Sequence, residues 1–346
     1  MTQKQLETMG PYDRIVLLGG GTALRKLCLW AKDNGYTVGV ITSSRHAVEL
    51  NDSEDLATFL KKNGISFLVT DTIETPEVKE FLSLYRGAGT FFLSLGAAWI
   101  FKKAVIEKYF DGNLFNAHGT RLPQNRGGGG FSWQILTGNR FGFCLIHRID
   151  EGVDTGDVLV FDEFLYPASC RIPEDYMKVY ESKTFLFITE LLQHTRHKEI
   201  IIAPLRQAHY LSTYWPRLHT PTNAWIDWGL DAEEIERFIC AFDSPYPGAQ
   251  AFVNGRKVAI KSASLNFQDG SFHPYQSGII YRKGKSWICV CAGRGGLIIE
   301  RVVDEQGIDV LDSLNVGERF YTPVAMLEQS ASRVAYTPKG LQGGLM

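Results

Sequence analysis

No window of the 346-residue chain approaches the run of about 18 apolar residues that a membrane-spanning helix needs. Residues 1–14, MTQKQLETMGPYDR, lack the apolar core of a signal peptide. A chain without a membrane partner is therefore expected. Charge of either sign is not in excess: 36 Lys and Arg face 38 Asp and Glu, a net of −2, so no overall field draws in nucleic acid or an anionic bilayer. Cysteine is sparse. Cys28, Cys144, Cys170, Cys240, Cys289 and Cys291 show no C-x-x-C spacing, so neither a zinc site nor a disulfide framework is indicated. Cys289 and Cys291 alternate in a strand-like run, which puts both thiols on one face. Buried reduced thiols fit a cytoplasmic protein. A dinucleotide fingerprint is also missing: Gly19–Gly20–Gly21–Thr22 sits where one would lie, but Leu24 takes the third glycine position and no acid follows the next strand correctly. A nicotinamide site is disfavoured, although Gly21 and Thr22 could still offer backbone N–H groups to a substrate phosphate.

The length suggests two domains. Over the first hundred residues, strand and helix patterns alternate. Apolar runs at 14–19, 36–42, 65–69 and 90–95 read as strands. Leu24, Leu27, Cys28 and Ala31 mark a helix over 22–34, and further helices are expected at 55–62 and 75–84. Helix 102–109, strand 113–117, helix 131–137, strands 142–148 and 157–164 and a long helix 173–194 complete the first unit. This pattern predicts an α/β, Rossmann-like, mostly parallel sheet with helices on both faces, in a catalytic domain over residues 1–205. Residues 206–330 change character. Short strands with turn signals, such as Asn254–Gly255, predict a smaller β-rich, barrel-like domain. Residues 331–346 read as a loose tail.

The chemistry concentrates between residues 114 and 160. Asn116 and His118 are two apart at a strand end, so both side chains share a face. Carboxyl ends of parallel strands are where ligands bind. Asp150, Glu151, Asp154 and Asp157 crowd the next loop, broken by Gly152 and Gly156. By contrast, His147 lies inside the strand FCLIHR with no evident partner and reads as structural. The histidines at 46, 194, 197, 209, 219 and 273 carry no motif and are expected at the surface.

This segment resembles the formyltransferase family, which includes methionyl-tRNA, glycinamide ribonucleotide and nucleotide-sugar formyltransferases. The resemblance rests on Asn116–Ala117–His118, on Leu122–Pro123 with Gly127, and on Asp150–Glu151–Gly152–Val153–Asp154–Thr155–Gly156. It extends to Gly96–Ala97–Ala98–Trp99–Ile100–Phe101 and, in the second domain, to Ala224–Trp225–Ile226–Asp227–Trp228 and Pro245–Tyr246–Pro247–Gly248–Ala249. One departure stands out: the usual H-P-S-L-L-P reads His118–Gly119–Thr120–Arg121–Leu122–Pro123, followed by the glycine run 127–130.

The resemblance implies a folate-dependent N-formyltransferase with N10-formyltetrahydrofolate as co-substrate and no metal. Asn116, His118 and Asp154 would be catalytic. Asn116 would donate to the developing oxyanion, His118 would manage the amine proton and Asp154 would orient His118. The pterin would lie between Trp99, Ile100 and Phe101 on one side and Leu114, Ile149, Asp150, Glu151 and Gly152 on the other. Gly21, Thr22, Arg126 and Gly127 are candidate substrate contacts. For the acceptor, a nucleotide-linked 4-amino-4,6-dideoxyhexose is favoured. Residues 205–346 hold 14 Lys and Arg against 14 Asp and Glu. That balance argues against a tRNA, whose binding draws on phosphate neutralisation. Methionyl-tRNA is the alternative acceptor, and a homodimer is left open.

Overall fold

The computed structural model describes residues 6–87, 89–128 and 130–342. Gly129 of the glycine run lies outside the described residues. The first sheet is built from β1 (Arg14–Gly19), β2 (Thr37–Thr42), β3 (Ser66–Val69), β4 (Thr90–Leu95), β5 (Leu114–His118), β6 (Phe141–Arg148) and β7 (Val158–Leu165). Their spatial order is β7-β6-β5-β4-β1-β2-β3. Ile15 and Leu17 of β1 pack into one buried cluster, whereas Val16 and Leu18 pack into another. Period-two alternation with both sets buried requires cover on both faces. On one face lie α1 (Gly21–Asp33), through Leu24, Leu27, Cys28 and Ala31, and the later part of α2 (Pro173–His194), through Ile188, Leu191 and Leu192. Opposite them, Val78, Leu82, Val105, Ile106 and Phe110 come from helices Pro76–Ser83 and Lys103–Phe110. Each fully buried side chain of this size contributes about 1.5–3 kcal/mol.

β1 pairs in parallel with β2 and β4, β2 with β3 and β4 with β5. β6 departs from this. It runs antiparallel to β5, pairing His147 with Asn116 and Leu145 with His118, and antiparallel to β7.

A second, six-stranded sheet holds Ala249–Val253, Arg256–Asn266, Ile280–Lys283, Ile288–Ala292, Gly295–Val303 and Phe320–Tyr321, each paired antiparallel to its neighbours. An isolated antiparallel bridge between Ile279 and Arg319 joins the two edge strands, so the sheet curls upon itself. Helix α3 (Ala232–Ala241) packs Ile235 and Ile239 onto it. Ile135 of the short helix Gly130–Leu136 and Tyr176 of α2 belong to the same core, and Ser132 Oγ donates to the Ala241 carbonyl at 2.8 Å. The two sheets are thus tied through a shared apolar seam. Within the stretch expected to be a loose tail, Ala335–Thr337 and Gly340–Gln342 pair as a hairpin, and Tyr336 lies against His219 and Arg217. Among the described residues no helix is long and apolar enough to cross a membrane.

Candidate active site

β5 delivers Asn116 and His118 to one half-buried face at its carboxyl end. Antiparallel pairing then sets His147 directly opposite Asn116. The His147 ring is 2% exposed, and its Nδ1 lies 2.8 Å from the Arg148 carbonyl oxygen, an atom that can only accept. Nε2 is therefore left to accept from the Asn116 amide at 3.1 Å. The same nitrogen lies 3.4 Å from Asp154 Oδ1. A proton there would turn it from an acceptor for Asn116 into a donor to Asp154.

His118 Nε2 is 2.9 Å from the Asn125 carbonyl oxygen and 2.8 Å from Thr120 Oγ1. Donation into that pair leaves Nδ1 as the basic nitrogen, 3.9 Å from Asp154 Oδ1. Burial holds the His118 imidazole below its ordinary pKa; Asp154 opposes the shift, His147 adds to it, and the Asn125 carbonyl opposes it. The ring is thus neutral at working pH and able to take a proton.

Asp154 is held at φ 54°, in the left-handed region. Its Oδ2 accepts the Gly127 N–H at 2.8 Å. Burial would raise its pKa, but His118, then His147, then the Gly127 N–H outweigh burial and bring it down to about 2. The loop carrying Asp154 is anchored from behind. Gln207 Nε2 donates to the Asp154 and Gly156 carbonyls at 2.9 and 2.6 Å, and Arg126 Nε and Nη2 grip Gln207 Oε1 at 3.0 and 2.8 Å. Asp150 accepts from the Gly152 N–H at 3.1 Å and from the Thr155 hydroxyl, fixing the turn before it. Gly127, at φ +100°, is pressed against the Trp215 carbonyl, where a Cβ would collide. A side chain is excluded on both counts.

Two clefts meet at these groups. One, of about 290 Å³, is lined by Trp99, Ile100, Phe101, Ile149, Asp150 and Gly152 and reaches Asn116, His118, His147 and Asp154. The other, of about 190 Å³, is lined by Thr120, Asn125, Phe131, Trp133, Tyr180 and Trp215. His118, Gly127 and Gly128 border both. Trp99, Ile100, Phe101 and Ile149 give the first cleft an apolar side facing its polar end at Asn116, His118 and Asp154. A flat heteroaromatic ring fits such a slot. Among the described residues, no group of three or more His, Cys, Asp or Glu is placed to hold a metal ion.

Some expected site residues fall elsewhere. Leu114 is fully buried in the core, and Glu151 is exposed on its turn; neither lines the first cleft. Arg126 does border the second cleft, and its guanidinium also binds Gln207, which makes it a support of the Asp154 loop as well. Gly21 and Thr22 start α1 and border neither cleft. His147, read as structural, touches both Asn116 and Asp154; the pairing direction of β6 was the missing signal. His46, expected at the surface, is 7% exposed and lies against Gly20.

The family profile described as "Formyl transferase, C-terminal domain" matches residues 219–313. A methionyl-tRNA formyltransferase of Agathobacter rectalis is 29% identical over 202 residues, 54% of this chain and 58% of that protein. The chain thus matches less than two thirds of that relative's length. Among solved structures, an N-formyltransferase from Helicobacter canadensis, in complex with folinic acid and dTDP-3-aminofucose, aligns with a TM-score of 0.60 at 18% identity, over 84% of this chain and 99% of that one. WlaRD, a sugar 3N-formyltransferase solved with dTDP and 5-N-formyl-THF, aligns with a TM-score of 0.59 at 20% identity, over 83% and 97%.

Proposed function

Because the chain is a member of the formyltransferase family, we propose that it moves a formyl group from N10-formyltetrahydrofolate onto the primary amine of a nucleotide-linked amino sugar of the 4-amino-4,6-dideoxyhexose type. One observation carries the reading of formyl transfer. Where two clefts meet, the Asn116 carboxamide, the His147 imidazole, the Asp154 carboxylate and the His118 imidazole follow one another at 3.1, 3.4 and 3.9 Å. Folate bound along Trp99, Ile100, Phe101 and Ile149 would supply the formyl carbon. The acceptor amine would enter from the cleft lined by Thr120, Trp133 and Tyr180.

Each residue has a physical task. Asn116 offers an amide N–H to the carbonyl oxygen that gains charge as the amine adds, with its other N–H steadied by His147. Neutral His118 accepts the amine proton, and the ionised Asp154 stabilises the imidazolium so formed. Gly127 holds Asp154 through its N–H, and Arg126 through Gln207 holds the loop behind it. The acceptor class is supported by the neutral balance of residues 205–346 and by the two concave clefts. Methionyl-tRNA is the second reading, and the sequence relationship to the Agathobacter protein favours it.

The test is absorbance-monitored release of tetrahydrofolate with a dTDP-linked 4-amino-4,6-dideoxyhexose set beside charged initiator tRNA. Turnover of the sugar nucleotide is expected, and turnover of the tRNA alone would reverse the acceptor. Full activity in Asn116→Ala or His118→Ala would overturn formyl transfer at this site.

A further inference from the structure

Beyond the two clefts lies a larger cavity of about 500 Å³ at the junction of the two sheets. Phe131 comes to it from the first unit, Phe242 and Tyr246 from the second, Arg217 and His219 from the segment leading into the second sheet, and Tyr336 from the C-terminal hairpin. Gly128 borders this cavity and both catalytic clefts, so the three spaces are continuous past one glycine. Arg217 lies against Gly128 and lines both the junction cavity and the folate cleft. Its guanidinium is stacked 4.4 Å from the centre of the Tyr336 ring.

The electrostatics of this corner are unbalanced. Neither Arg217 nor Arg45 has a carboxylate within ion-pair distance among the described residues. Arg45 Nη2 donates to His46 Nε2 at 2.9 Å, and its Nε is buried without a partner. His46 itself is 7% exposed, its Nδ1 is buried and unpartnered, and its ring covers Gly20 beside the uncapped start of α1. Burial, then Arg45, then Arg217 push the His46 imidazole down to about 4, so it stays neutral and adds no charge. Arg45 is likewise pushed down by burial and then by Arg217, with Glu49 opposing the shift. Arg217 borders the cavity with no carboxylate in ion-pair reach among the described residues and with Arg45 repelling it from nearby, a setting an anionic ligand would relieve.

We propose that Arg217, seconded by Arg45, binds the diphosphate of the acceptor, and that the nucleoside occupies the junction cavity among Phe131, Tyr246 and Tyr336. This rests on the nucleotide-sugar reading above and adds to it where the non-reacting end of the substrate lies. The aromatic walls suit a base and ribose, and guanidinium forks suit phosphate oxygens. Through Gly128 the sugar then has a path to His118 and Asn116.

The experiment uses the full chain, with dTDP, UDP and inorganic diphosphate as titration probes and 5-formyltetrahydrofolate as the folate probe. A thermal melt accompanies each variant. Arg217→Ala is expected to weaken dTDP and UDP binding and to raise the acceptor KM by about 10- to 100-fold, the range for loss of charge-assisted hydrogen bonds. Folate affinity, which Arg217 reaches only from the edge of its cleft, is expected to fall by less than dTDP affinity, and Arg217→Lys to recover part of the loss. Tyr336→Ala should weaken dTDP more than inorganic diphosphate. Weakened folate with unchanged dTDP would assign the anion to the folate's glutamate tail and overturn the proposal. Turnover of the sugar nucleotide with an unchanged acceptor KM in Arg217→Ala would overturn it while leaving the acceptor class standing. Turnover of charged tRNA alone would remove both.

Discussion

Replacing Asp154 by Asn removes a charge while leaving the geometry almost untouched, and the structure permits a magnitude. Asn tolerates the left-handed backbone at φ 54°, its amide oxygen can still accept the Gly127 N–H, and the loop remains tied by Gln207 through backbone carbonyls. What goes is the carboxylate held at about 2 against an ordinary 3.8. At about 1.4 kcal/mol per pKa unit the depression is worth on the order of 2 kcal/mol where the imidazoles that cause it are protonated, and less at neutral pH, where His118 has lost its proton. The sign follows from the direction. A carboxylate with a lowered folded pKa stabilises fully above its unfolded value, and the benefit is lost as pH falls through about 2. Urea titrations should therefore show Asp154→Asn less stable by about 2 kcal/mol on the acid side of neutrality, with a gap that shrinks toward pH 8 as His118 loses its proton and narrows again below about pH 4 as Asp154 gains one. In the tetrahydrofolate-release assay, kcat should fall by about 10²–10³, because the His118 imidazolium loses its counter-charge. The acid limb of the rate profile should also move to lower pH, since Asp154 is what holds the His118 pKa up. A variant with kcat within about threefold of the parent, or a stability gap that widens as pH falls below about 4, would refute the reasoning.

Asn116→Ala should lower kcat by about 10²–10³ at unchanged folate affinity, measured by the same release assay with an equilibrium folate titration. His147→Phe keeps the ring volume but leaves the Asn116 amide without its partner, and kcat should fall by about 10- to 100-fold with little change in KM. Gly127→Ala forces a Cβ toward the Trp215 carbonyl at a positive φ; a melting temperature lowered by several degrees and loss of most activity are expected. Gln207→Ala frees the Asp154 and Gly156 carbonyls and should cost about 1–3 kcal/mol in denaturant titration, with faster amide exchange at residues 150–157.

Much of the architecture was readable because local periodicity and burial agree. Ile15, Val16, Leu17 and Leu18 form a continuous apolar run that only a doubly covered strand can use, and the first sheet uses it so. Asn116 and His118 were readable for a similar reason: a spacing of two on a strand fixes a shared face. Strand direction is different. Nothing in FGFCLIHR says whether it runs with or against its neighbour, because that is decided by how the chain returns after helix Gly130–Leu136. His147 was therefore misread, since its partner is assigned by register across two strands. Arg126 illustrates a second limit. A buried arginine beside a glycine run suggests a ligand contact, and Arg126 does border the second cleft, but its hold on Gln207, 81 residues further on, is invisible in the sequence. His46 illustrates a third: its burial comes from packing on Gly20, a contact no motif records.

The short parallel pairing of Tyr214–Trp215 with Arg126–Gly127 carries a consequence for anyone dissecting the chain. Arg126 N–H donates to the Thr213 carbonyl at 3.1 Å and Gly128 N–H to the Trp215 carbonyl at 3.0 Å, so a segment leading into the second sheet forms one wall of the reaction chamber. Excising residues 1–205 as a minimal enzyme would strip the glycine segment of that splint, and the backbone that presents Gly127 to Asp154 would lose its template. Chimeras are better cut beyond Pro216, where the splint travels with the half it braces.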